Sequence, residues 1–160
     1  MTERVLGVDP GTSITGYGVI EGPRRQVGHL IECGVIRTNP REKLWHRLNA
    51  LYEGLTTVIE QHRPDVLAVE SVYYGKNVRT TVALGHARGA VLLAASRAGL
   101  AVAEFPPATV KKTIVGAGGA GKTQVGYMVQ QLLRLQAPPR PSDAADGVAI
   151  ALTYLLTRSP

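Results

Sequence analysis

Asp65-Val66-Leu67-Ala68-Val69-Glu70 decides the fold, because four consecutive apolar residues stand there between two carboxylates. An apolar run without alternation is the pattern of a strand covered on both faces, which places it centrally in a sheet with parallel character. Upstream, Val5-Leu6-Gly7-Val8 is a second short apolar run, and it stops at the turn sequence Asp9-Pro10-Gly11-Thr12. These two strands are predicted to run parallel. Ile14–Glu21 and His29–Thr38 are further strand candidates, with Gly22-Pro23 as the turn between them, so an antiparallel meander precedes the central strand. From Pro40 the pattern is helical: Leu44, Leu48, Leu51, Leu55, Val58 and Ile59 recur every three or four residues until Pro64.

Beyond the central strand, Asn77–Ala98 reads as a long helix. Its Gly85 and Gly89 share a face and would permit close backbone approach, either to the sheet or to a second copy of the helix. Ala101–Phe105 is a fifth strand. A short helix over 109–115, a glycine loop over 116–121, and helices at Thr123–Leu135 and Ser142–Leu156 complete the chain. Strands first, then alternating strands and helices, predict an α/β fold. Its five-stranded mixed sheet is flanked by helices in a single domain spanning 1–160.

Composition narrows the function classes. The chain has 160 residues, 44% of them hydrophobic, enough for one packed core. Its 18 basic and 12 acidic residues give a net charge of +6, a balance that favours polyanionic partners. The single cysteine, Cys33, excludes an intrachain disulfide and fits a reduced cytoplasmic setting. No leader pattern opens the chain and no long apolar segment predicts a membrane span.

Four acids carry the chemistry. Asp9 and Glu70 each end an apolar strand, and parallel neighbours would bring both to one carboxyl edge of the sheet. Asp143 and Asp146 are three apart at a helix start and share a helical face. Each also has a plainer role: Asp9 as a turn residue, and Asp143 as a first-turn acid behind a Ser142 N-cap. Gathered together, two such charges about 4 Å apart repel by about 4 kcal/mol at an effective dielectric near 20, which calls for a cation. An oxygen-only donor set suits Mg²⁺ or Mn²⁺, with two ions per site as the expectation. His29, His46, His62 and His86 are scattered and read as surface or interface residues rather than ligands.

Gly116-Ala117-Gly118-Gly119-Ala120-Gly121-Lys122-Thr123 matches the phosphate-binding loop pattern, but such a loop must leave a buried strand. The preceding Val110–Val115 segment carries two lysines, and no later strand ends in an aspartate. Nucleotide hydrolysis is therefore set aside. An actin-like or sugar-kinase-like ATPase needs two such domains. A nucleic-acid-binding module without catalysis would have no need of all four acids.

The motifs, taken in order, resemble the RuvC Holliday junction resolvases along nearly the whole chain. The matching stretches are Gly7–Thr12, Gly16–Val19, Ala68–Tyr73, Lys76-Asn77, Leu84–Gly89, Val110–Gly116 and Asp143–Asp146. The resemblance implies a ribonuclease H-like sheet, a homodimer, and paired symmetric nicks in four-way junction DNA that leave ligatable ends. It also implies Asp9, Glu70, Asp143 and Asp146 as the catalytic, metal-binding acids, and the RuvA and RuvB branch-migration proteins as partners. Tyr73 stands where the family commonly has phenylalanine beside the junction, and it keeps a ring for base stacking. Lys76, Arg79, Lys111, Lys112 and Lys122 are the basic DNA-contact candidates, with Lys111 ahead of Lys112 for the scissile phosphate.

Overall fold

The computed structural model describes residues 1–71, 77–116, 118 and 121–157, with the side chain of Lys122 outside the description. The elements run β1 (Thr2–Asp9), β2 (Ile14–Pro23), β3 (His29–Arg37), α1 (Leu44–His62), β4 (Val66–Glu70), α2 (Val78–Arg97), β5 (Ala101–Phe105), α3 (Pro107–Val115), α4 (Lys122–Leu133) and α5 (Ser142–Leu156). One sheet has the order β3-β2-β1-β4-β5. Its first three strands are antiparallel, and β4 and β5 join in parallel. The expected five-stranded mixed sheet is present.

Alternation along the strands sorts two cores. Leu6, Val8, Leu67 and Val69 pack with Leu51, Leu55, Ala87 and Val91 of α1 and α2. Val5, Val66 and Ala68 pack on the other face with residues of α3, α4 and α5. The central strand is thus apolar throughout because it is covered twice. α1 ends at Arg63 in the left-handed region, and Pro64 prevents its continuation.

Three expectations need correction. Gly22 and Pro23 lie inside β2, and the turn follows them, with Arg25 at positive φ. The helix start near the acids is capped by Pro141, which puts Ser142 inside the first turn and removes its role as a cap. His62 is buried rather than at the surface. Its Nε2 lies 2.5 Å from a Glu32 carboxylate oxygen, whose other oxygen accepts a 2.7 Å bond from the Tyr17 hydroxyl. That network ties α1 to β2 and β3 on side chains far apart in sequence. Among the described residues, no helix is long and apolar enough to cross a membrane.

Candidate active site

β1 and β4 pair in register through Val8 and Val69, so Asp9 and Glu70 follow as neighbours at the same edge. The pleat turns both towards the face that carries Gly7 and Ala68, the face covered by α5. The two carboxylates bracketing β4 separate in role. Asp65, at the start, accepts the Arg4 amide at 2.8 Å and anchors the strand. Glu70, at the end, lines a cavity of about 250 Å³ together with Asp9, Pro10, Ser71, Leu84, Arg88 and Pro107.

α5 brings the remaining acids because glycines let it lie unusually close to the sheet. A Cβ on Gly16 would sit 1.7 Å from the Asp143 carbonyl oxygen, and one on Gly7 would sit 2.1 Å from the Gly147 carbonyl oxygen. Gly147, directly after Asp146, meets the Tyr17 backbone in the same way. No L side chain fits at these contacts, so the helix–sheet spacing is set by absent atoms. At that spacing, oxygens of Asp9, Asp143 and Asp146 all lie within 4.8 Å of one another. The turn after Asp9 is closed by Thr15, whose hydroxyl donates to the Gly11 carbonyl and accepts from the Gly11 amide.

The structure therefore gathers three of the four sequence-predicted acids into one cluster and sets Glu70 in the adjoining cavity on the side of Asp9. All donors are hard oxygens on rigid elements, a set that fits divalent cations such as Mg²⁺ or Mn²⁺. Lys111 is half-buried and Lys112 exposed on α3. Lys111 stands one helical turn from Pro107 at the cavity, so the two share a side of α3. Arg79 is exposed in the first turn of α2. Tyr73 and Lys76 lie outside the described residues, as does the Lys122 side chain at the start of α4. The segment before the glycine loop is helix α3, ending at Gly116 with φ of 90°, so no buried strand enters that loop.

Sequence reasoning missed two contributors. The close-approach glycines Gly7, Gly16 and Gly147 stand on or opposite strands, where a two-residue spacing (Gly16-Tyr17-Gly18) was the available signal. Arg88, inside the Leu84–Gly89 motif, donates from Nε to the Glu70 carbonyl oxygen at 3.3 Å and pairs with the Glu104 carboxylate.

An antiparallel β1–β3 meander, parallel β4 and β5, and carboxylates gathered under the last helix form the ribonuclease H-like arrangement. A model of the family described as crossover junction endodeoxyribonuclease RuvC matches residues 5–154. The RuvC of Pelotomaculum thermopropionicum is 47% identical over 150 residues, covering 94% of this chain and 91% of that protein. The RuvC of Halorhodospira halophila is 46% identical over 156 residues, with 98% and 92% covered. The solved structure of T. thermophilus RuvC in complex with a Holliday junction substrate superposes with a TM-score of 0.87 at 36% identity, covering 94% of this chain and 92% of that one. The yeast mitochondrial Holliday junction resolvase shares the fold, with a TM-score of 0.68 at 16% identity and coverage of 96% and 79%. The chain belongs to the crossover junction endodeoxyribonuclease RuvC family.

Proposed function

We propose that this chain, acting as a single domain over 1–160, resolves four-way DNA junctions as a homodimer in the cytoplasm, with Mg²⁺ or Mn²⁺ at each site. The observation that carries the reading is the Asp9–Asp143–Asp146 cluster with Glu70 in the adjoining cavity. Asp9, Asp143 and Asp146 would hold one cation, and Glu70 would serve as a ligand to a second. Bound divalent cations supply Lewis-acid activation of water and neutralise charge at the phosphorus. The chain's own part is geometric: two strand ends and one helix start fix the carboxylates, so little reorganisation accompanies the reaction. Lys111, on the cavity side of α3, contacts the scissile phosphate. Arg79, Lys112, Lys76, Lys122 and the Tyr73 ring extend the DNA contact.

The outward side of α2 supports the dimer. Val78, Val82, Gly85, Gly89 and Leu93 follow one another at three- and four-residue spacing. Val78, Val82 and Leu93 are 74%, 52% and 54% exposed. Exposed apolar stripes of this kind mark association surfaces. Trp45, 65% exposed on α1, flanks the same groove. A two-fold dimer presents two acid sites to a two-fold-symmetric junction, which gives paired cuts. The RuvA and RuvB branch-migration proteins are the expected partners in delivering the junction.

The test is incubation of a labelled four-way junction and a linear duplex of the same sequence with Mg²⁺ or Mn²⁺. Paired nicks in the junction and an intact duplex are expected. Asp146→Asn and Glu70→Gln should each lower nicking by about 100-fold or more while sparing junction binding, a loss at least as large as that of metal-site supporting residues. Binding without nicking by the unmodified chain would return the reading to a DNA-binding module.

A further inference from the structure

A cation beside an acid cluster is ordinarily read as a neutralising charge. Arg88 lines the acid cavity but spends its hydrogen bonds elsewhere. Its side chain is 18% exposed, and its Nε donates at 3.3 Å to the backbone carbonyl oxygen of Glu70, not to a carboxylate of the cluster. Its Nη2 is held by the carboxylate of Glu104, a half-exposed residue on β5. Glu70 is the last residue of β4 and pairs with Phe105 in the final register position. Directly after it, the Ser71 amide donates to the Phe105 carbonyl oxygen at 2.8 Å. The end of β4 is thus held from β5 through the sheet and from α2 through Arg88. A guanidinium suits this role because its rigid planar fork holds two acceptors in fixed directions, whereas an ammonium is a point charge on a flexible stem.

We infer that Arg88 is a positioning residue for Glu70: by clamping the Glu70 carbonyl to α2 and to Glu104, it fixes the direction in which the Glu70 side chain enters the acid cavity. The inference rests on the proposed reading of that cavity as a divalent-cation nuclease site. It adds a second consequence. Arg88 belongs to the helix whose outward stripe carries Gly85, Gly89 and Leu93, so a displacement of α2 is passed to the end of β4. Metal-site supporting residues of this type are worth about 10–100-fold in metal affinity or activity.

The two roles open to a half-buried arginine here predict opposite signs. If Arg88 acts through its charge, removing it takes a repelling cation away from the site, and Mn²⁺ should bind more tightly. If it positions Glu70, removing it should weaken Mn²⁺. The experiment is calorimetric titration of Mn²⁺ into the DNA-free chain for the unmodified protein, Arg88→Gln, Arg88→Lys and Glu104→Gln, with junction nicking and metal-free junction binding measured beside it. Arg88→Gln is expected to weaken Mn²⁺ and lower kcat, each by about tenfold, with junction affinity held within about twofold. Arg88→Lys, which keeps the charge and loses the fork, should recover less than half of either loss. Glu104→Gln changes a half-exposed residue outside the acid site and should give a smaller loss of the same sign. Tighter or unchanged Mn²⁺ binding in Arg88→Gln overturns the inference, as does full recovery in Arg88→Lys. Should Arg88→Gln fail to fold, an unaltered Mn²⁺ isotherm in Glu104→Gln overturns it instead. An unmodified chain that neither binds Mn²⁺ nor nicks sinks the site reading and Arg88's role together, whereas normal binding and nicking with unmoved variants sinks Arg88's role alone.

Discussion

α5 and α2 cover opposite faces of the same sheet, and glycine marks both, with opposite meaning. Under α5, the glycines of the strands and Gly147 are filled from the far side: any Cβ would enter a backbone atom, at 2.1 Å for Gly7 and 1.7 Å for Gly16. Along α2, a Cβ on Gly85 or Gly89 would meet nothing within 4 Å. The first set draws a helix onto the sheet and assembles a site within one chain. The second leaves a shallow, apolar-edged track on the surface, the face that the proposed dimer would use. Glycine spacing alone does not separate the two; the difference is whether the partner backbone is already present.

The largest break in this comparison should come from Gly16→Val. The new side chain must push the Asp143 carbonyl away. A displacement of about 1 Å at a catalytic group costs on the order of 100-fold in rate, and overpacking costs about 1–3 kcal/mol. Nicking assays and thermal melts read the two losses, and wild-type behaviour in both would mean that α5 is not held at that distance. Next, Gly89→Leu should reduce the species in solution to the 17.0 kDa chain, measured by light scattering. An unchanged dimer removes this face from the interface. A smaller and opposite pair of effects sharpens the contrast. Gly85→Ala should stabilise by about 0.5–1 kcal/mol, since alanine replaces glycine within an open helix face, while Gly7→Ala should destabilise. Denaturant midpoints with unchanged slopes decide it, and equal shifts for the two would erase the distinction.

The smallest effect is one of pH and belongs to the α1–β3 side. Glu32 is held below the usual carboxylate range by the Tyr17 hydroxyl first and by His62 next, against the opposing pull of burial. A carboxylate depressed in the folded state stabilises above its ordinary value of 4.5 and loses that contribution as pH falls through the lower folded value. Glu32→Gln should therefore melt at a lower temperature than the unmodified chain at neutral pH, with the gap narrowing in acid. A gap that widens below about pH 4 would contradict the sign.

Much of this architecture is legible from residue order. The unbroken apolar run before Glu70 and the leucine spacing from Leu44 to Ile59 report local periodicity, and the structure follows them within a few residues at each end. The acids were legible because strand ends and a three-residue helical spacing restrict where a carboxylate points. The remainder depended on what lies across the fold. The burial of His62 is settled by Glu32, 30 positions away on another strand. β2 continues through Gly22-Pro23 because β1 supplies partners as far as Pro23. Gly85 and Gly89 suggested intimate packing on spacing alone, whereas Gly7 and Gly16 looked like ordinary strand residues until α5 was placed over them. The contact of Arg88 was not legible, since its acceptor is a backbone carbonyl that no sequence pattern marks.

Helix α5 carries two of the acids on its first turns, and from Gly147 to Leu155 every residue is buried. This half of the acid cluster is therefore an extension of the central core, not a loop laid on top of it. Loss of α5 from the sheet therefore removes the packing of Val148, Ile150 and Leu152 together with the placement of Asp143 and Asp146. Selection for cleavage in this chain is in the same act selection for a cooperative fold.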